Sequence, residues 1–528
     1  MIETPTGESK EASEFIKDCI KSGPQINLII GNSGSGKTFT FLKSFEGLRD
    51  DFIDGGTKIP IFVELYRRAN CTIKELIMKD MNENLFKADY VNYVLFLDGM
   101  NEGGDIIRCL DEIGRFAARH REAKLFISTQ REEGLDKTGI PVYRIKSFSD
   151  EQIISYLQTS LGYSRGEAEG FYQGLYPVLK KEISLPIFLH MLTAPLEWGI
   201  GQEDTGQSSR TPPRNLGELF NNFEEFVCGE RSSPHARSPL DDRFRNRMIP
   251  YLAFNMCLKG GLQLTKSEVY EHLKNFKNKE SEGFDSDDFI KKVTKEYWIA
   301  YLRGDSFRFT HDLLRDYFTA RYIKDKGMGI NKVVGLVFKD GNPNPPFDSV
   351  AQLLCGIESE ERIRQLIQGI LNKNPDKAPH LAASCFAVSN SNDIDLFKAV
   401  SNAIQPDAPD YLYLDRLPHF HLRGLELLKG EKGQPEYATC QNNLGTAYCR
   451  LSEVRDREAN LGLAIKCYNE ALKIRTKEAL PWYFVEASGN LAVALRMKGD
   501  ITGALWVLEE MLPVAEKIRH PILYERLK

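Results

Sequence analysis

Residues 25–45 read QINLIIGNSGSGKTFTFLKSF, and the fold of the first part of the chain turns on them. Ile26, Leu28, Ile29 and Ile30 form a short apolar run of the kind a buried parallel strand shows. It passes straight into GNSGSGKT, residues 31–38, which meets the pattern GxxxxGK[ST] at every fixed position. Phe39, Phe41, Leu42 and Phe45 then recur as a helix requires. Gly31, Gly34 and Gly36 let the backbone curl so that its N–H groups point inward, with Asn32, Ser33 and Ser35 between them. Such a ring suits phosphate oxygens, and the start of the helix adds its partial positive charge. Lys37 is spaced to reach the β- and γ-phosphates, and the Thr38 hydroxyl to ligate Mg²⁺. A glycine-rich turn with an incidental lysine would require neither the strand before it nor the helix after it.

A phosphate loop needs a carboxylate from another strand to hold the magnesium shell. YVLFLDGMNEGG, residues 93–104, offers one. Tyr93 to Leu97 is a buried-strand run, and Asp98 stands at its C-terminal end, where open α/β sheets bind ligands. Glu102, four positions on, is the candidate for polarising an attacking water. IPIFVEL (59–65) predicts a further strand, with an amphipathic helix around Ile73 to Met81. KLFISTQR (124–131) predicts another, ending in Arg131, whose guanidinium is a candidate sensor of the γ-phosphate. A fifth strand is expected at Val142 to Ile145. Strands alternating with helices over 24–150 specify a doubly wound α/β domain.

These segments, with SLPIFLHML (184–192) and FRFTHDLLRDYFTARYI (307–323), resemble the NACHT family within the STAND class of signalling NTPases. The resemblance covers residues 24–325 and implies an ASCE-type parallel sheet followed by a helical domain and a winged helix. NACHT proteins usually carry DG-x-DE after the second motif strand, whereas this chain carries DGMNE. Asp98 and Glu102 match, but Asn101 replaces a carboxylate, which implies slow hydrolysis more than loss of nucleotide binding. Pro186 looks like the family's proline beside the base and sugar, although a proline also starts helices. His311 matches the histidine that touches the β-phosphate of ADP in the closed state; a histidine before an apolar helix is otherwise a cap or a packing residue. The implied ligand is ATP or ADP with Mg²⁺, with GTP left open.

At 528 residues the chain is too long for one core, so several domains are expected. The division read from the patterns is a short lead at 1–23, a P-loop NTPase core at 24–150, a helical subdomain at 151–240 and a winged-helix-like domain at 241–325. An α-helical array at 326–430 and tetratricopeptide-like (TPR-like) repeats at 431–528 complete it. A net charge of −5 gives no global attraction to nucleic acid or anionic membrane. The Ser- and Pro-rich loops 201–215 and 229–242 carry few basic residues and no aromatic neighbours, so nucleic-acid binding finds little support there. The ten cysteines show no CxxC pair, which together with the absence of a secretory leader points to reduced thiols in the cytoplasm. No apolar run approaches the ~18 residues that a membrane helix needs.

In the tail, Leu444, Gly445 and Tyr448, then Ala464, Tyr468 and Ala471, resemble one TPR helix pair. Leu491, Ala492, Leu495, Ala504, Leu508 and Met511 repeat the pattern. Such an array presents a concave face suited to a protein or peptide partner. The order of parts resembles STAND receptors of innate immunity and antiviral defence, which exchange nucleotide and form homo-oligomers when the repeats meet a ligand. Those receptors carry an effector ahead of the P-loop; with 23 residues there, either the chain is a fragment or it recruits one. Two rivals make different predictions: a constitutive ATPase motor turns over without ligand, and a scaffold with structural nucleotide never assembles.

Overall fold

Residues ahead of the glycine loop join the sheet itself. In the computed structural model Ile2–Glu3 (β1) and Ser9–Lys10 (β2) pair antiparallel, and Ala12–Ser22 (α1) follows. The structure describes residues 1–519 except 5–8, 32–33, 66–71, 73, 77–91, 101–105, 130–134, 136–137, 176, 198–211, 230–238, 281–282, 298, 304, 340, 375–377, 390, 405–415 and 455. The chain forms two compact units, Met1–Tyr172 with Lys181–Thr193, and Gln173–Lys180 with Ala194–Lys528.

In the first unit the expected strands appear in order. Ile26–Ile30 (β3) leads through the glycine loop to Lys37–Ile53 (α2), then to Lys58–Glu64 (β4) and Asn92–Asp98 (β5). Ile106–Arg119 (α3), Lys124–Thr129 (β6) and Val142–Ile145 (β7) follow. The sheet runs β2-β1-β7-β3-β6-β5-β4, with β7, β3, β6, β5 and β4 mutually parallel. β6 therefore lies between the strand that enters the loop and the strand that ends in Asp98, as an ASCE-type sheet requires. The sequence reading gives five strands, and the sheet has seven. The difference is β1 and β2, where Ile2 pairs with Ile145 antiparallel and is fully buried.

Alternation decides the core. Leu28, Leu95, Leu97, Leu125 and Ile127 face Cys109, Ile113 and Phe116 of α3 on one side. On the other, Ile29, Val94, Phe96 and Phe126 meet Phe41 of α2 and Phe15 and Ile16 of α1. Both faces are covered, so the central strands carry near-continuous apolar runs. Helices Asp150–Leu161 (α4), Arg165–Gly174 (α5), Pro177–Glu182 (α6) and Pro186–Glu197 (α7) follow. A capping box of Ser149 and Gln152 starts α4.

Beyond α7 the second unit continues with Leu216–Cys228 (α8), a π-turn at Phe244–Met248 and Ile249–Lys259 (α9). Leu264–Thr265 (β8), Lys266–Glu280 (α10), Ser286–Lys291 (α11), Ala300–Arg303 (β9), Ser306–Phe309 (β10) and Asp312–Asp325 (α12) come next. The strands pair antiparallel in the order β8-β10-β9. Glu224 of α8, with no side-chain exposure, ties these parts together. It accepts from Arg245 Nε at 2.8 Å, Arg321 Nη1 at 2.5 Å and the Tyr317 hydroxyl at 2.7 Å. Helices Ile330–Val337 (α13), Pro345–Ile357 (α14), Glu360–Leu371 (α15), Ala378–Val388 (α16), Ile394–Ala403 (α17) and Leu417–Leu427 (α18) form the helical array. α8 crosses α14 closely, since a Cβ on Gly217 would lie 2.2 Å from the Gly356 carbonyl oxygen.

The tail forms two helix pairs: Pro435–Val454 (α19) with Arg457–Leu472 (α20), and Pro481–Lys498 (α21) with Ile501–Lys517 (α22). Gly445 admits the Tyr468 ring, which a Cβ there would meet at 2.7 Å. Ala464, Tyr468, Leu491, Ala492, Ala494 and Val507 make one core. These are TPR-like pairs, closed by small residues at the helix crossings. No helix among the described residues is long and apolar enough to cross a membrane.

Candidate functional site

The C-terminal edge of the first sheet gathers polar groups from three adjacent strands. Gly31 N–H donates to the Thr129 carbonyl at 3.2 Å, which moors the loop to β6 as it leaves β3. The loop then turns through left-handed backbone at Gly34 (φ 78) and Gly36 (φ 90), conformations that glycine reaches without strain. A Cβ on Gly31 would stand 2.6 Å from Ser35 Oγ, so a larger residue there would force the Ser35 hydroxyl to turn.

Inside this turn lies a polar group with work left to do. Ser35 is buried, and its hydroxyl has no hydrogen-bond partner among the described residues. An unpaired buried hydroxyl is costly. Lys37, also buried, donates from Nζ to the Gly31 carbonyl at 2.5 Å, across the mouth of the loop. At the start of α2 the first backbone N–H groups have no carbonyl within the helix to accept them, until Thr40 N–H bonds to Gly36 at 2.8 Å. An unpartnered hydroxyl, a lysine and a helix start facing one cradle fit an oxyanion.

Thr38 and Asp98 meet beside this cradle. The Thr38 hydroxyl donates to Asp98 Oδ2 at 2.7 Å, across 60 positions of sequence. A hydroxyl has one proton and two lone pairs, so this bond fixes the proton and leaves an acceptor for a metal ion. The other carboxylate oxygen, Oδ1, accepts from Ser128 Oγ at 2.5 Å, and Ser128 in turn accepts from Gly99 N–H at 2.9 Å. Ser128 is fully buried on β6. No sequence motif points to it, because a serine in a strand carries none. Its role comes from register: Leu97 pairs with Ile127, which brings the next residues of the two strands together. Hard oxygen donors of this kind suit Mg²⁺, so the residues fit the ion.

Pro186 belongs to the same place. It begins α7, and its Cγ lies 3.5 Å from where a Cβ on Gly36 would be. The Phe148 N–H to Ser184 carbonyl bond, at 2.8 Å, holds the segment ahead of it. The structure thus brings Gly31, Gly34, Ser35, Gly36, Lys37, Thr38, Asp98 and Pro186 together. Asn32, Ser33, Glu102 and Arg131 lie outside the described residues.

His311 belongs to the second unit, where it caps α12. Its Nδ1 accepts from Leu313 N–H at 3.1 Å. Burial lowers its pKa; the neighbouring Asp312 opposes that shift and Arg308 reinforces it. The neutral ring therefore carries its proton on Nε2.

No protein-family model matches the chain. No curated protein matches it either. Solved structures give loose likenesses. A STAND protein with a tetratricopeptide repeat sensor from Pyrococcus horikoshii is 13% identical over 98% of this chain and 79% of its own, at a TM-score of 0.30. Drosophila ORC bound to DNA is 13% identical over 58% of this chain and 84% of its own, at 0.30. The Aeropyrum pernix ORC1 protein in complex with DNA is 14% identical over 60% and 90%, at 0.27.

Proposed function

We propose that the chain is a nucleotide-dependent switch of the NACHT type within the STAND class, holding ATP or ADP with Mg²⁺ in the glycine loop. The observation that carries this reading is the Thr38–Asp98 contact beside a buried loop whose Ser35 hydroxyl has no described partner. Residues 31–38, Asn32 and Ser33 included, hold the phosphates through main-chain N–H groups, and Lys37 reaches the outer ones. Thr38 and Asp98 hold the metal, which neutralises phosphate charge when bound. Glu102 orients water, Arg131 senses the terminal phosphate, and Pro186 flanks the nucleoside.

His311 holds the resting state. With its proton on Nε2 the ring is a hydrogen-bond donor, which a phosphate oxygen accepts. The order of helix, strand, two helices and two paired strands over 249–309 supports reading 241–325 as a winged helix. The division at 24–150, 151–240, 326–430 and 431–528 completes the scheme. The TPR-like pairs take up a protein or peptide ligand, and open protomers then assemble in innate immune or antiviral signalling. To convert most molecules the ligand must prefer the open form by roughly 5 kcal/mol.

The test is to purify the full chain, identify any retained nucleotide by mass spectrometry, and weigh the particle with and without an ATP analogue. Lys37→Ala is expected to abolish retention. Retention equal to that of the unsubstituted chain would overturn the site.

A further inference from the structure

Arg321, Lys324 and Asp325 stand at a helical spacing of three and four, so α12 presents them on one face near its C-terminal end. That face forms one wall of a cleft of about 380 Å³ within the second unit. Arg245 and Asn246 of the π-turn and Ile357, the last residue of α14, form others. The charged lining is three cations and one carboxylate.

Two of the cations are held from behind. Arg245 Nε and Arg321 Nη1 donate to the same oxygen, Glu224 Oε1, at 2.8 and 2.5 Å. One buried negative charge thus serves two guanidinium groups. The other carboxylates in reach are half-exposed: Glu225 Oε2 lies 2.7 Å from Arg245 Nη2, and Asp325 Oδ2 lies 3.7 Å from Arg321 Nη2. Water screens pairs of that kind, so positive charge is left over at the cleft wall.

Donors are in excess as well. A guanidinium carries five N–H groups. Arg245 gives one each to Glu224 and Glu225; Arg321 gives one each to Glu224 and, at 3.1 Å, to Asn246 Oδ1. Lys324 gives one of its three to the Ile357 carbonyl at 2.5 Å. The remaining N–H groups of these three side chains find no hydrogen-bond acceptor among the described residues. The bonds already made fix the side chains before a ligand arrives, and groups fixed in advance lose little freedom on binding. Several fixed cationic donors around one space suit an oxyanion, whose bonds to them are charge-assisted.

We propose that this cleft is a second ligand site, built from other residues than the glycine loop, and that it takes a small organic molecule by its oxyanion group, phosphoryl or carboxylate. Its volume is of the order that small-molecule sites have. The proposal does not rest on the phosphate-loop reading. Calorimetry on the full chain carrying Lys37→Ala, which silences the loop, measures binding of glycerol 3-phosphate and of succinate. At least one is expected to bind with a Kd of about 1 mM or tighter. Binding of the first alone assigns a phosphoryl group, and of the second alone a carboxylate. Lys324→Gln and Asn246→Asp are each expected to weaken binding about tenfold, and Asp325→Asn to tighten it. Asn246→Asp still offers Arg321 an oxygen, so it makes the cleft repulsive without undoing that bond, and a gain in Asp325→Asn cannot come from unfolding. Failure of both probes to bind would overturn the proposal, as would binding that ignores all three substitutions. An equal loss in Lys429→Gln, at an exposed position outside the cleft, would also overturn it, by reducing the effect to general charge attraction.

Discussion

Ser128 Oγ donates to Asp98 Oδ1 at 2.5 Å from the strand that lies between β3 and β5. Together with the bond from Thr38, it leaves the carboxylate one rotational setting. Ser128→Ala is expected to lower nucleotide affinity 10–100-fold when Mg²⁺ is present, the usual effect of removing a group that orients a metal ligand. In EDTA the affinity is expected to stay put. Titration under both conditions decides it, and an equal loss in each would assign Ser128 a purely structural role.

Glu224 offers a stability prediction. Its carboxylate is wholly enclosed and accepts from two arginines and a tyrosine. Glu224→Ala would remove the buried carboxylate they share and leave Arg245 only the half-exposed Glu225 and Arg321 only Asp325, at 3.7 Å. The expected loss is about 3–5 kcal/mol in urea denaturation. A change under 1 kcal/mol would show that water replaces the carboxylate.

Gly217 of α8 packs its backbone against Gly356 of α14. A methyl group on Gly217 would stand 2.2 Å from the Gly356 carbonyl oxygen and 2.4 Å from its carbon, neither of which can rotate aside. Gly217→Ala is expected to cost about 3 kcal/mol, the upper end for overpacking. Thermal unfolding measures it, and a melting point equal to the unsubstituted chain's would mean that the helices part easily.

His421 predicts a pH dependence. Burial pushes its ring pKa down to about 3 from the ordinary 6.5, and its Nδ1 has no hydrogen-bond partner among the described residues. The folded state refuses a proton that the unfolded chain accepts. Stability from this group is therefore full above about pH 6.5 and is lost progressively as the pH falls toward 3. The slope approaches about 1.4 kcal/mol per pH unit for one proton. Because His272 and His311 are also lowered, the measurement is the difference between the chain and His421→Leu at pH 7 and pH 5. An identical acid response in both would remove His421 as the source.

What could be read in advance was what neighbouring residues announce. The loop 31–38, the strand ending at Asp98 and the run 124–131 each show themselves in a few consecutive positions, and the strands β3, β5 and β6 appear where expected. Small residues at 445, 464 and 492 likewise signalled close helix crossings in the tail. β1 escaped because two residues with one apolar side chain make no pattern; their pairing exists only against β7. Ser128 depends on register, and the Glu224 cluster joins Tyr317 and Arg321, one turn apart on α12, to positions 224 and 245, which no local spacing connects to them.

α12 begins at His311 and carries Arg321 in its penultimate turn, the residue clamped to Glu224. Its 14 residues form a strut about 20 Å long. A stiff rod transmits displacement without absorbing it. A shift of α12 along its own axis carries Tyr317 and Arg321 with it, so it strips both from Glu224 or draws α8 after them, and with α8 the helix it crosses at Gly356.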